Sequence, residues 1–413
     1  MDPRARRFAP PATRRCVVVS DQWGKRGIVL PSTRIHRIGG AGSMENPGLL
    51  LRDARLSRGV SLAALAAKTN YSKSLLGMIE NGQRAVKQEH IMSYSRALNI
   101  PISALMAPSP DPIRVAHEWL VADSAPKTHA SAGRRVGESL AAEMEQRVVE
   151  LRHLDDSIGG GELLPLTLHE FGSVRKVITE CSYTERVGKR LLGVAGELAQ
   201  LAGWVASDAG RYEDAQRLYL SGVAAADDAG DRVLTAQLLS SLSYQMANVG
   251  NPYEAALLAR TALKGATSAP PVVRSLLTDR LAWACARSRD RDEAKRALDA
   301  VDEAYERRSP DLPEPEWVYW LDRTEIDVMA GRCFVELDEP RRASALLSGA
   351  IAQLAADRVR EVALYRTWLA ESYLEVRDLD AARATIREAK TAAETAHSAR
   401  LDRRIAQIEA MLA

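Results

Sequence analysis

The long C-terminal part of the chain carries apolar positions at helical spacing from Leu164 onward, and a pair of small residues recurs within this pattern. In each unit a Gly, Ser or Ala is followed twelve positions later by an alanine. The five pairs are Gly203/Ala215, Ser243/Ala255, Ala282/Ala294, Gly331/Ala343 and Ala370/Ala382. Small side chains let two helices approach closely, so the pattern predicts five repeated helix pairs in an all-α chain.

Larger apolar residues follow four positions after most of these alanines and are expected to fill the space beside each small pair. They are Tyr219, Leu298, Leu347 and Ile386. Over residues 195–413 this arrangement resembles the tetratricopeptide repeat (TPR), although successive alanines lie 40, 39, 49 and 39 residues apart and the usual period is about 34. The alternative is an unrelated helical bundle. A helix over 165–207 is expected to add a degenerate leading repeat to a TPR-like α-solenoid spanning 134–413.

A second helical pattern occupies residues 47–106 and is divided by capping signals. Pro47 suits a first helical turn, Ser61 is a good N-cap for a helix over Leu62–Lys68, and Ser72 caps a third helix that runs to Asn81-Gly82. A fourth helix is predicted over 88–98 and a short fifth over 101–106. These signals predict a five-helix domain of about 60 residues.

The remaining segments are interpreted as a leader and a linker. Residues 1–43 have no helical period and hold nine basic and two acidic residues, so we expect a disordered leader; the alternative is a basic arm that grips DNA phosphates. Met44 is a candidate native start, since the helical pattern begins three residues later. Residues 107–133 contain a proline-rich linker and a short helix over 113–122, and a longer helix is predicted over 134–156.

Charge is distributed unevenly along the chain. Residues 1–108 contain 17 Lys/Arg and 6 Asp/Glu, a net charge of +11, whereas the remainder carries a net charge of −9. This asymmetry favours a nucleic-acid-binding head on a separate interaction domain. No apolar run approaches the roughly 20 residues that span a bilayer. The four cysteines are scattered, as expected of free thiols in the cytoplasm: Cys16, Cys181, Cys285 and Cys333.

The stretch from Arg55 to Gly82, with Leu65-Ala66, Ser72 and Ile79-Glu80-Asn81-Gly82 in order, resembles the Xre family of phage-repressor-like and Cro-like helix-turn-helix domains. The resemblance implies that the third helix enters the major groove of double-stranded DNA. It also implies that Arg55 and Glu80 pair internally. The candidate DNA-binding residues are Ser72, Lys73, Ser74, Met78, Asn81, Arg84 and Lys87. The family often has Gln where this chain has Leu62, so one phosphate contact is missing.

In the repeats, the residue after the small anchor is expected to line the concave face. In the first three repeats it is aromatic, and polar residues lie four positions before and after it. The candidate effector-binding residues are Gln200, Trp204, Asp208, Ser240, Tyr244, Asn248, Asp279, Trp283 and Arg287. Aromatic rings beside amide and charged groups suit a peptide or protein effector. The alternative is that these side chains pack between helices.

We find no catalytic constellation, no cofactor motif and no metal-ligand spacing in the sequence, so an enzyme is not expected. The combination of an Xre-like head with TPR-like repeats resembles ligand-responsive, peptide-sensing regulators of Gram-positive bacteria, and the Ala/Arg-rich composition is of the actinobacterial type. The sequence therefore predicts a homodimeric transcriptional regulator. The alternative is a TPR adaptor that acts through protein–protein contacts and has vestigial DNA binding.

Overall fold

The computed structural model describes residues 47–58, 60–100, 105, 111–121, 135–156, 160–354, 358–396 and 398–413. Throughout these residues the chain is α-helical, with one 3₁₀ turn and no strand beyond an isolated bridge between Arg135 and Ser182. The predicted all-α class is confirmed. The leader 1–43 lies outside the described residues, as does the predicted fifth helix over 101–106 except for Leu105.

In the described residues 47–100 the N-terminal domain has four helices: α1 (Pro47–Ser57), α2 (Leu62–Lys68), α3 (Lys73–Glu80) and α4 (Gln88–Leu98). The predicted caps are present, because Ser61 Oγ accepts from the Ala64 amide at 3.1 Å and Ser72 Oγ accepts from the Leu75 amide at 3.2 Å. The helices enclose a small core whose buried members are Leu51, Leu65, Leu76, Ile79, Tyr94, Leu98 and Leu105.

Three helices connect this domain to the repeats: α5 (Pro112–Val121), α6 (Glu138–Asp155) and α7 (Gly160–Glu180). Helix α5 contributes Trp119, which is buried in the main core of the repeats and lies under the Arg232 guanidinium at 4.9 Å. The prediction of one helix over 165–207 is wrong. Helix α7 ends at Glu180 and α8 (Glu185–Asp208) begins after Thr184, whose hydroxyl accepts from the Val187 amide and caps a new helix.

The five predicted helix pairs are all present. Helix α8 pairs with α9, and the others follow in chain order: α9 (Tyr212–Ala229), α10 (Arg232–Val249) with α11 (Pro252–Gly265), α12 (Pro271–Arg287) with α13 (Arg291–Glu306), α14 (Arg323–Glu336) with α15 (Pro340–Ile351), and α16 (Val359–Glu375) with α17 (Leu379–Ala396). A final helix, α18 (Ala399–Leu412), packs on α16 and α17.

The small residues lie where the paired helices approach most closely. A Cβ added at Gly203 would meet the Tyr219 ring at 2.6 Å, and one at Gly331 would meet Leu347 at 2.7 Å. In the second repeat the Ser243 hydroxyl donates to the Ala255 carbonyl at 2.8 Å. The predicted roles of the small pairs and of Tyr219 and Leu347 are therefore confirmed, because no larger residue fits at the glycine positions.

Candidate nucleic-acid interface and concave cavities

The outer face of α3 is exposed at each predicted position. Ser72, Lys73 and Ser74 project at its N-terminal end, and Met78 one turn later is 37% exposed. Leu76 and Ile79 alternate with them on the buried side. Helical periodicity therefore separates a polar surface from the core within a helix of eight residues.

The three remaining predicted DNA contacts follow α3 and are also exposed. Asn81 caps the helix, and its side-chain oxygen accepts from Arg52 at 3.5 Å. Arg84 and Lys87 lie in the turn before α4, where the amide of Arg84 donates to the Met78 carbonyl at 3.1 Å. All seven predicted DNA-binding residues are therefore exposed.

A buried ion pair joins α1 to α3. Arg55 donates to both carboxylate oxygens of Glu80, from Nε at 2.7 Å and from Nη2 at 2.6 Å, and Tyr94 donates its hydroxyl to Glu80 at 3.0 Å. The hydrogen bond to Glu80 raises the pKa of the Arg55 guanidinium. The predicted internal pairing is confirmed, and its bidentate geometry fixes α3 against α1.

An aromatic ladder runs along the first helices of the repeats. The rings of Trp204 and Tyr244 are stacked with centroids 5.8 Å apart, and Tyr244 is 6.5 Å from Trp283. A fourth ring, Trp368 of α16, meets Trp283 edge-on at 6.5 Å. Two adjoining cavities flank the ladder, and Trp204, Asp208, Tyr244, Leu364 and Arg400 line both of them.

Seven of the nine candidate effector residues line one or both cavities: Gln200, Trp204, Asp208, Tyr244, Asn248, Trp283 and Arg287. Arg287 is tied to Glu336 at 2.7 Å and to the Ala247 carbonyl at 3.1 Å. Ser240 and Asp279 are buried and line neither cavity. Ser240 donates to the Gln237 carbonyl, and Asp279 lies 3.5 Å from Arg280.

The repeat register contained two further residues that the sequence interpretation did not use. In the fourth and fifth repeats the positions after the small anchor are Arg332 and Glu371, where the first three repeats have aromatic rings. Glu371 forms an ion pair with Arg404 of α18. The guanidinium of Arg332 lies 4.1 Å from the ring centre of Trp368 and 4.5 Å from that of Trp283. Applying the same rule, that the residue directly after the small anchor is a candidate, to the fourth and fifth repeats would have located both residues.

Tyr244 is surrounded by arginines. Arg332 donates to its hydroxyl at 2.8 Å, Arg400 also donates to it, and the guanidinium of Arg280 lies 4.3 Å from the centre of its ring. Burial alone would raise the pKa of the phenol, but the positive charges of Arg332, Arg400 and Arg280 outweigh burial and lower it to about 8.

The C-terminal helix contacts the first helices of the repeat region. Ser398 and two arginines of α18 reach helices α8 to α10, over separations of 156 to 191 residues along the chain. Ser398 donates to Asp208 at 3.2 Å, Arg400 contacts Tyr244, and Arg403 contacts Tyr212. These contacts place the α18 arginines in the walls of the cavities.

The insertion between the third and fourth repeats lines the second cavity through Trp317, Tyr319 and Trp320. Tyr319 donates to Asp156 of the segment after α6 at 2.5 Å. Beside it, burial raises the pKa of Asp155 to about 7, although Arg360 acts in the opposite direction. The insertion accounts for the 49-residue interval and joins α6 to the concave side. No group of three or more potential metal ligands occurs in the part of the chain that the structure describes.

Comparison with known proteins identifies the N-terminal domain. The family model HTH_3, described as helix-turn-helix, matches residues 51–105. Residues 51–105 are a helix-turn-helix domain. The match contains α2, α3 and α4 and all seven candidate DNA-binding residues, so the exposed face of α3 belongs to the second helix of the motif.

Two solved structures match most of the length of the chain. One is a point mutant of PrgX, with a TM-score of 0.30 and 10% identity over 84% of this chain and 94% of that one. The other is Bacillus thuringiensis PlcR in complex with the peptide PapR7 and DNA, with a TM-score of 0.30 and 11% identity over 89% of this chain and 99% of that one. No curated protein matches the sequence. Among the described helices none is long and apolar enough to cross a membrane.

Proposed function

We propose that this protein is a sequence-specific, DNA-binding transcriptional regulator of the cytoplasm whose repeat domain binds an effector. The observation that carries the proposal is the helix-turn-helix match over 51–105 together with the exposed face of α3. In this proposal Lys73 donates to guanine in the major groove and Met78 contacts a thymine methyl group. Arg84 and Lys87 contact phosphates.

The effector part of the proposal rests on the aromatic ladder and the two cavities beside it. A peptide or protein segment is the proposed occupant, since stacked rings bury side chains while Asn248 and Arg287 offer polar contacts. Binding changes DNA affinity only if the effector prefers one arrangement of the protein over another.

The DNA proposal is tested by recovering bound fragments from a genomic library with the full chain, and then by titrating the operator so found. Lys73→Ala is expected to weaken binding by about 1–3 kcal/mol and to relax the preference at one base pair. Arg84→Ala is expected to weaken all sequences alike and to lower the slope of log K against log salt by about 1. Lys176→Ala, an exposed lysine of α7, is the charge-matched control.

If the full chain enriches no sequence, or if Lys73→Ala and Arg84→Ala both bind the operator as tightly as the control does, the DNA-binding proposal fails. An adaptor that acts through protein contacts is then favoured.

We also propose that the protein is a homodimer, because operators with two-fold symmetry usually bind two DNA-binding domains. Light scattering at micromolar concentration, with and without operator DNA, checks this. A single species of 45.2 kDa under both conditions would contradict it.

A further inference from the structure

Most arginines around the two cavities are neutralised by a carboxylate. Arg152 pairs with Glu197 at 2.9 Å, Arg358 with Glu325 at 2.8 Å and Arg287 with Glu336 at 2.7 Å. Arg280 lies 3.5 Å from Asp279, Arg360 lies 3.8 Å from Asp155, and Arg404 pairs with Glu371. Arg332 and Arg400 differ, since neither forms an ion pair with any residue in the described parts of the chain; Arg403 also lacks one, but its side chain is exposed.

Arg332 is the more unusual of the two because it is only 4% exposed. Its charge is met by the faces of Trp283, Trp368 and Tyr244 and by the Tyr244 hydroxyl, which is an uncharged acceptor. A buried guanidinium without a carboxylate is costly unless something else compensates for it. These rings do not form a site for a cationic ligand, since the Arg332 guanidinium already occupies the position against their faces that such a cation would take.

The cavity walls also contain more unpaired hydrogen-bond donors than unpaired acceptors, which again indicates an anionic or acceptor-rich ligand. Four buried N–H groups of cavity-lining residues have no acceptor among the described atoms: Trp283 Nε1, Arg332 Nε, Arg404 Nε and Arg152 Nη1. Only one buried side-chain acceptor in the cavity walls, Gln245 Oε1, similarly lacks a donor. An acceptor-rich ligand would correct this imbalance, whereas a donor-rich ligand would add to it.

We propose that the effector carries an oxyanion, a carboxylate or a phosphate, that binds between Arg332 and Arg400 beside Tyr244, where the two cavities meet. The proposal deepens the effector part of the proposed function and rests on it. The Tyr244 hydroxyl holds both guanidiniums in the absence of ligand, and the oxyanion takes its place as their acceptor. Charge-assisted hydrogen bonds to two guanidiniums favour the ligand over the neutral phenol.

Tyr244 also makes the site sensitive to pH. The charged and titratable groups around its ring and hydroxyl are Arg280 of α12, Arg332 of α14, Arg400 of α18 and Tyr219 of α9, and Asp279 acts on two of these arginines, Arg280 and Arg332. Loss of the phenol proton, with a pKa of about 8, places a negative charge between the two guanidiniums. The phenolate then competes with the ligand, so the affinity for an oxyanion falls as pH rises through about 8.

Tryptophan fluorescence of the full chain tests the site, since three indoles lie within the ladder. The probes are benzoate and phenyl phosphate, with benzamide as the uncharged match, all at constant ionic strength and pH 7. We expect saturable binding of at least one anion and at least about tenfold weaker binding of benzamide. Stronger benzoate binding identifies a carboxylate ligand, and stronger phenyl phosphate binding identifies a phosphate ligand.

Arg400→Gln is the informative variant because Arg400 is half-buried and its loss leaves the repeat core intact. It is expected to weaken anion binding at least about tenfold, whereas Arg387→Gln, at an exposed arginine of α17 that lines neither cavity, is expected to have little effect. Equal losses in both variants would show a general charge effect and would overturn the site. So would the absence of saturable binding by either anion at millimolar concentration.

The pH response separates a bound oxyanion from a merely structural role for Tyr244. Benzoate stays ionised from pH 7 to 9, and the wild-type affinity is expected to fall about tenfold between pH 7 and pH 9. Tyr244→Phe retains the ring and is expected to bind benzoate at pH 7 with no such fall. The same fall in the Phe variant would overturn the competition. None of these measurements uses DNA, so they fail or succeed independently of operator binding.

Discussion

The helix-turn-helix domain and the repeats each bury an arginine to nearly the same extent, but only the first of these arginines is paired with a carboxylate. Arg55 in the helix-turn-helix domain is 5% exposed and donates to both carboxylate oxygens of Glu80. The Tyr94 hydroxyl donates a further hydrogen bond to the same carboxylate. Arg332 in the repeats is 4% exposed and meets only aromatic faces and the Tyr244 hydroxyl. The first guanidinium is saturated and serves the fold. The second retains capacity for an anionic partner.

The difference extends to what stabilises each region. The small head has few buried side chains and depends on one ion pair that fixes α3 against α1. The repeats have a large core and depend on close helix approach at small residues such as Gly203. A polar network is therefore essential in the head, while the repeats can leave a buried arginine incompletely paired.

The largest effect is expected at the ion pair of the head. Arg55→Met leaves Glu80 buried without its partner and should cost about 3–5 kcal/mol. Amide hydrogen exchange of α3 and α4 in the full chain measures the stability of this region separately from the repeats. Arg52→Met, at an exposed position of the same helix, is the control and should stay within about 0.5 kcal/mol of wild type. Equal losses of stability in Arg55→Met and Arg52→Met would show that the Arg55–Glu80 ion pair does not stabilise the domain.

A smaller effect is expected at the close contact between α8 and α9. Gly203→Ala forces a methyl group against the Tyr219 ring and should cost about 1–3 kcal/mol. Gly193→Ala on the same helix meets nothing within 4 Å and should stabilise the protein by about 0.5–1 kcal/mol. Urea unfolding of the two variants measures the difference. A stabilising Gly203→Ala would mean that the helices can separate at no cost.

The smallest effect is expected at Arg332. Arg332→Met keeps similar volume and removes a charge that no carboxylate balances, so the cost should be about 1 kcal/mol or less. Hydrogen exchange of α12 and α14 measures it. A loss as large as that of Arg55→Met would remove the contrast between the two arginines and would assign Arg332 to the fold.

Several parts of the site could be predicted from spacing alone. The small anchors gave the register of the repeats, and the residue after each anchor led to Trp204, Tyr244 and Trp283, which line the cavities. The position four residues earlier was less informative. Ser240 and Asp279 are buried because α10 and α12, in the middle of the solenoid, pack against each other as well as against their own partners. Burial by the next repeat cannot be seen in the spacing of apolar residues within one helix.

Most of the helices, their caps, the five small-residue pairs and the helix-turn-helix domain follow from local sequence, because each depends on contacts within about 40 residues; the break between α7 and α8 was missed. The return of α18 to α8 and α10 and the position of Arg332 among three aromatic rings depend on how the whole chain packs. Hydrogen bonds such as Arg400 to Tyr244 and Ser398 to Asp208 join residues more than 150 positions apart. Such contacts depend on the summed curvature of all the repeats, which no single segment encodes.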